Sequence, residues 1–197
     1  MGEVLGYMEQ YLEILGVIVG AAYLYLEYKA SIYLWIASVI MPAIYLVVFY
    51  GAGLYADTAI NIYYLVIAIY GWFAWRYGSK ERKELPISHI SPRQIVAMVG
   101  LYAVMQVAIS LALLHLTDSD VPWFNGLTSA LSIVGMWMLA RKWIEQWIVW
   151  IVVDILSAGL YCHKGLYLTA ILYAIYAIIA IFGYRKWKQI MRTQNAE

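Results

Sequence analysis

The chain has 197 residues, of which 64% are hydrophobic and only 13% charged, and its formal net charge is +1. A soluble domain averages nearer half apolar and a quarter charged, so this composition excludes an ordinary soluble domain and offers no basic surface for nucleic acid. The single cysteine, Cys162, excludes an internal disulfide and a cysteine-rich metal site.

Seven apolar segments are each close to the roughly 20 residues that a helix needs to cross the hydrocarbon layer of a membrane. The predicted spans are 9–26, 32–53, 58–76, 94–116, 122–140, 144–162 and 165–186. The sequence therefore predicts an all-α polytopic membrane protein with seven transmembrane helices in a single transmembrane domain, 1–197.

Basic residues cluster at alternate ends of these spans. They occur in the loop 78–92, directly after the fifth span and directly after the seventh, whereas Lys164 is the only basic residue in the loops of the other side. Because Lys and Arg mark the cytoplasmic side of membrane proteins, we expect the N-terminus outside and the C-terminus inside.

The chain also contains an internal repeat. Gly53-Leu54-Tyr55 aligns without gaps with Gly165-Leu166-Tyr167, and the same offset places Trp75 on Trp187 and Trp35 on Trp147. Repeat 1 is assigned to 9–76, the linker helix to 94–116 and repeat 2 to 122–187. One linker span between three-helix units predicts a parallel-repeat 3+1+3 arrangement. Membrane transporters built from such repeats bind substrate near the membrane midplane, between the repeats.

The sixth span carries an aromatic and polar stripe. At about 100° per residue, Trp147, Trp150, Asp154, Ser157 and Tyr161 share one face, and the rest is aliphatic. A charge at membrane depth costs about 2.5 kcal/mol or more, so it persists where it faces a cavity or a partner. A carboxylate beside Trp rings suits a small cationic aromatic guest. Alternatively, Asp154 hydrogen-bonds a neighbouring helix and the Trp residues only pack.

Other spans offer further polar or aromatic side chains for the same substrate. These candidates are Glu13, Asn61, Tyr64, Gln106, Asn125, Ser132 and Tyr176. Hydroxyl and amide groups in membrane helices often bond a neighbouring helix, which is the alternative role for each of them. The chain shows neither a phosphate-binding Gly-rich loop nor a catalytic or metal-binding motif. It is therefore not expected to be an enzyme or to hold a cofactor or metal.

The segment RKWIEQWIVWIVVDILSAGLYCHKGLYLTAILYAIYAIIAIFGYRKW resembles the Pnu-type vitamin transporters, as do IYGWFAW in the third span and LEILGVIVG in the first. The resemblance covers residues 12–187. It implies a bacterial inner-membrane carrier with the 3+1+3 fold, working by facilitated diffusion, whose vitamin is trapped inside by phosphorylation.

The resemblance leaves the vitamin open between branches that carry thiamine, nicotinamide riboside or riboflavin. The Trp147-x-x-Trp150 motif is a mark of the family. In the nicotinamide riboside branch, the position four residues after the second Trp of this motif is usually Asn, where this chain has Asp154. We therefore expect thiamine, with nicotinamide riboside as the alternative. A membrane protein that binds but does not transport is the more distant alternative, and a homo-oligomer is compatible with either.

Overall fold

The computed structural model describes residues 18–51, 55–79, 84–117, 120–194 and 196. The described residues form seven helices joined by short connections. The helices are α1 (18–28), α2 (Leu34–Gly51), α3 (Tyr55–Tyr77), α4 (Pro92–Leu116), α5 (Pro122–Ala140), α6 (Gln146–His163) and α7 (Tyr167–Gln194). The prediction of an all-helical protein with seven helices is confirmed.

Within the described residues, the predicted span boundaries agree with the helices to within a few residues, with one large exception. The predicted start of the first span at residue 9 lies outside the described residues. Helix α7 continues to Gln194, well past the predicted end at residue 186. Hydropathy detects the part of a helix that suits lipid, whereas Arg185, Lys188 and Arg192 extend the same helix as an exposed basic segment. The apolar signal therefore ends before the helix does.

Four of these helices are long and apolar enough to cross a membrane: α4, α5, α6 and α7. A shorter apolar helical stretch covers Leu34–Val47. The outward faces of these helices carry large aliphatic side chains, such as Val96 on α4, Ile155 on α6 and Leu168 on α7. In lipid such faces are solvated by acyl chains, so their exposure is what a multi-pass membrane protein requires.

The chain divides into two compact units, Met1–Leu85 and Pro86–Glu197. In the first unit α2 packs on α3. The fully buried Trp35 of α2 meets Trp75 of α3 edge to face, with ring centroids 5.7 Å apart and an interplanar angle of 89°. Gly71 of α3 makes room for this ring, because a Cβ there would stand 2.4 Å from Trp35 Cη2.

In the second unit α5 packs on α4 and α6, and α6 packs on α7. The fully buried Trp147 of α6 meets Trp187 of α7 edge to face, at 5.7 Å and 88°. Gly183 of α7 lies against this ring, where a Cβ would stand 2.6 Å from Trp147 Cη2. The second unit therefore contains the same Trp–Gly–Trp triad as the first, at the positions that the internal repeat aligns.

A further match lies in the turn before each buried Trp. Ala30 and Lys142 occupy equivalent repeat positions, and both have positive φ angles, of 51° and 56°. These matches are those expected of the repeats predicted from sequence. The 3+1+3 arrangement, its boundaries and the orientation in the membrane stay predictions.

The start of α6 is fixed by the segment that precedes α4. Ser88 exchanges backbone hydrogen bonds with Lys142 and Ile144, and His89 Nδ1 lies 2.6 Å from Glu145 Oε1. The backbone N–H of Ile90 also donates to Glu145. Since Glu145 directly precedes α6, these contacts set where the helix and its polar stripe begin.

Candidate functional site

The polar stripe of α6 is continuous in the structure. Asp154 and Ser157 are buried, and Trp150 and Tyr161 are half-buried along the same face. The opposite face exposes Ile148, Val152 and Ile155. The amphipathic division predicted for this helix is therefore present, with its polar side turned inward.

Asp154 is the most unusual side chain of this face. It is 6% exposed, and among the residues that the structure describes its carboxylate has neither a hydrogen-bond nor an ion-pair partner. A mostly buried carboxylate without a hydrogen-bond or ion-pair partner is costly, since burial removes much of its hydration. The alternative role, a hydrogen bond to a neighbouring helix, thus finds no support among the described residues.

Tyrosines of α7 complete the surroundings of Asp154. Tyr173 lies within electrostatic range of the carboxylate. Its ring stacks on Tyr161 of α6 at a centroid distance of 5.2 Å and meets Tyr176 edge to face at 5.9 Å. Tyr176 was a predicted site residue, whereas Tyr173 was not. The available signal was its position on the same aromatic stripe of the seventh span.

Trp150 connects this group to α5. Its ring edge lies over Gly135, where a Cβ would stand 3.3 Å from Trp150 Cε2. Its indole Nε1 is buried and lacks a hydrogen-bond partner within the described part of the chain. Trp150, Asp154, Ser157, Tyr161, Tyr173 and Tyr176 form one group on α6 and α7, which we call the Asp154 cluster.

Trp147 lies on the same helix but has different surroundings. It is fully buried in the Trp–Gly–Trp triad with Gly183 and Trp187. Trp35 has the same surroundings in the first unit, and the indole Nε1 atoms of Trp35 and Trp147 both lack partners among the described residues. This geometry favours packing over substrate contact for Trp147, and its predicted binding role stays untested.

Gln106 on α4 and Ser132 on α5 are already engaged in hydrogen bonds, within their own helices and, for Gln106, also to α5. Gln106 Nε2 donates to Ser110 Oγ and to the Trp123 carbonyl, both at 3.0 Å, and its Oε1 accepts from the Tyr102 hydroxyl at 3.3 Å. Ser132 donates to the Thr128 carbonyl at 2.8 Å. These contacts suit helix packing, the alternative considered for each.

Asn125 is half-buried near the start of α5 and makes interactions of its own. In the first unit Asn61 is buried and Tyr64 is half-buried beside Tyr63, with ring centroids 5.7 Å apart. Glu13 lies outside the described residues. The substrate roles of all three described residues stay predictions.

Sequence reasoning missed a second buried carboxylate, Glu27. The predicted first span ended at residue 26, so Glu27 counted as a loop residue, whereas α1 continues to residue 28. Glu27 is 2% exposed and hydrogen-bonds the Tyr23 hydroxyl. Unlike Asp154, this carboxylate has a partner, so it is satisfied within the fold.

The Asp154 cluster can bind a flat cation that also donates hydrogen bonds. An ionised carboxylate only accepts hydrogen bonds, and Tyr and Trp faces attract positive charge. The described residues contain no group of three or more metal-binding side chains. The cluster therefore combines a carboxylate acceptor with aromatic faces, a combination that suits an organic cation.

Apolar spanning helices around a buried polar cluster define a multi-pass membrane protein of the carrier type. The chain belongs to the nicotinamide mononucleotide transporter family, whose sequence model matches residues 10–189.

Individual relatives agree with that assignment. The nicotinamide riboside transporter PnuC of Escherichia coli K12 is 26% identical over 166 residues, which cover 72% of this chain and 70% of the relative. The riboflavin/roseoflavin transporter RibM of Streptomyces davaonensis is 28% identical over 126 residues, covering 62% of this chain and 59% of the relative.

A crystal structure of the vitamin B3 transporter PnuC superposes with a TM-score of 0.69 at 24% sequence identity, covering 96% of this chain and 85% of that one. This likeness establishes the fold. The names of these relatives mention nicotinamide riboside or riboflavin. The preference for thiamine is therefore not supported, and the alternative substrate, nicotinamide riboside, fits better.

Proposed function

We propose that this protein carries nicotinamide riboside across the bacterial inner membrane by facilitated diffusion. The observation that carries the proposal is Asp154, a buried carboxylate without a hydrogen-bond or ion-pair partner among the described residues, one helical turn from Trp150 and within electrostatic range of Tyr173. The names of the relatives support the substrate class. Phosphorylation inside the cell would then trap the vitamin, as the resemblance implies.

The charge of the Asp154 cluster separates two of the three vitamins. Nicotinamide riboside has a positively charged pyridinium ring, whereas the three-ring isoalloxazine of riboflavin is neutral. A buried carboxylate gains most from a ligand that brings the missing positive charge. Nicotinamide riboside therefore suits the cluster better than riboflavin does.

Thiamine is also a cation, so charge alone does not exclude it. The argument for thiamine was that Asp154 stands where the nicotinamide riboside branch usually has Asn. A carboxylate, however, accepts hydrogen bonds from a carboxamide NH₂ and from ribose hydroxyls as well as from an aminopyrimidine. Asp154 is thus compatible with nicotinamide riboside, and the names of the relatives favour this vitamin over thiamine.

Transport is expected to need no energy source. Purified protein in liposomes should equilibrate labelled nicotinamide riboside down its gradient without ATP, sodium or a proton gradient. The chain has no nucleotide-binding motif to couple hydrolysis to transport. Uptake is measured as labelled vitamin inside the vesicles over time, with protein-free liposomes as the control.

Two results would contradict this expectation. Accumulation above the external concentration, driven by any one gradient, would show active transport. Binding without uptake would show the alternative, a non-transporting membrane protein. Competition with unlabelled thiamine and riboflavin in the same vesicles tests the substrate, since effective competition by thiamine alone would restore the earlier expectation.

A further inference from the structure

One pair of aligned positions has its large and small side chains exchanged between the two repeats. In repeat 2 the aligned pair is Gly135 on α5 and Trp150 on α6, whereas in repeat 1 it is Tyr23 on α1 and Ser38 on α2. The Trp–Gly–Trp triads, in contrast, are the same in both units. The exchange therefore distinguishes the surroundings of the Asp154 cluster from the common scaffold.

Gly135 lies in the interior of α5, where glycine is intrinsically unfavourable. Glycine is less favourable than alanine within a helix because it loses more backbone entropy, so its position calls for a local reason. A Cβ at residue 135 would stand 3.3 and 3.4 Å from Trp150 Cε2 and Cζ2, and 3.4 Å from Val149 Cγ1. The 3.3 Å distance to Trp150 is tighter than an ordinary contact, so a methyl group there would push the ring away by a few tenths of an ångström, whereas the 3.4 Å distances are ordinary contacts. The absence of a side chain lets the Trp150 ring lie directly against α5.

We infer that Gly135 is a positioning residue that sets where the Trp150 ring lies in the Asp154 cluster, and thereby the affinity for the aromatic ring of the vitamin. This inference rests on the proposed function. Trp150 and Asp154 are one helical turn apart on α6, so their side chains are neighbours. A displacement of the Trp150 ring by a few tenths of an ångström changes its distance from a guest held by the carboxylate.

The test is Gly135→Ala, compared with Gly159→Ala as a matched control. Gly159 is exposed on α6, and a Cβ there would meet nothing within 4 Å. Calorimetric titration of the purified full-length carrier with nicotinamide riboside should show roughly tenfold weaker binding for Gly135→Ala, because the displaced Trp150 ring no longer lies in its place against the bound vitamin. Gly159→Ala should bind as the wild type does, and both variants should keep the wild-type melting temperature within a few degrees.

A second pair of variants separates positioning from a general loss of structure. Trp150→Phe removes the fused ring edge that Gly135 contacts, so Gly135→Ala should cause little additional loss in that background. Such non-additivity is the sign of residues that act through one contact. Equal losses in both backgrounds, or wild-type binding by Gly135→Ala, would overturn the inference alone. A wild-type carrier that binds no nicotinamide riboside would overturn the proposed function together with it.

Discussion

Asp154→Leu is expected to abolish measurable binding of nicotinamide riboside while raising the melting temperature of the ligand-free carrier. Loss of one member of a buried charge pair costs about 2–5 kcal/mol of binding free energy. In the empty carrier, by contrast, the Asp154 carboxylate is buried and has no partner among the described residues. Replacing such a charge with an apolar side chain removes a desolvation cost of about 2.5 kcal/mol or more. Binding is measured by calorimetric titration and stability by thermal unfolding in detergent.

Asp154→Asn gives a graded comparison. The amide keeps the shape of the side chain and its acceptor oxygen but loses the charge. We therefore expect a smaller loss of affinity than for leucine, together with a smaller gain in stability. If Asp154→Asn changed affinity and stability more than Asp154→Leu does, a role based on charge would be contradicted.

Asp120→Asn is the matched control for removing a carboxylate charge. Asp120 is exposed in the loop before α5 and accepts a hydrogen bond from Lys164 Nζ at 3.1 Å, which lowers the pKa of its carboxyl. Exposed ion pairs contribute little to stability, so this variant should bind and melt almost as the wild type does. An Asp154→Leu carrier that melts lower and binds normally would show that Asp154 is structural.

The helices could be predicted from sequence because the membrane imposes a simple rule. Every backbone polar group in lipid must be bonded within its own helix, so long apolar segments become helices. The rule applies only at membrane depth, which is why the basic end of α7 and the buried Glu27 at the end of α1 were misplaced. Both lie where hydropathy falls but the helix continues.

The site was predicted in part. Helical periodicity identified the inward face of α6, including Trp150 and Asp154, because one helix determines its own face. It could not show which neighbouring helix each side chain meets. Tyr173 and Gly135 reach the Asp154 cluster through the packing of α5 and α7, and this packing depends on the three-dimensional arrangement of separate spans.

The substrate could not be deduced from one position. Asp154 was interpreted alone, although a carboxylate accepts hydrogen bonds from several vitamins. The names of the relatives support nicotinamide riboside or riboflavin and not thiamine, a preference that a single acceptor could not provide. The internal repeat offers a further criterion for tryptophans, because a Trp whose aligned twin has the same packed surroundings is expected to serve the common scaffold.

This criterion separates two tryptophans that the sequence placed on one face. Trp147 has an aligned twin in Trp35, and each ring is buried between a glycine and a second tryptophan. Trp150 aligns with Ser38 and is half-buried within the Asp154 cluster. We therefore expect Trp147 to act mainly in stability and Trp150 mainly in binding.

Trp147→Ala should accordingly destabilise the carrier by about 3–5 kcal/mol, the usual cost of deleting a buried Trp. Packing is the main force that holds helices together in lipid, so the cavity beside Trp187 cannot be offset by lipid contact. Trp35→Ala should lose a similar amount, since its ring has the same surroundings in the first unit. Trp150→Ala should lose less stability but at least tenfold in affinity for nicotinamide riboside. The wild type and the three variants are compared by thermal unfolding and calorimetric titration in the same detergent. If Trp147→Ala melted normally but no longer bound the vitamin, Trp147 would have to be a binding residue.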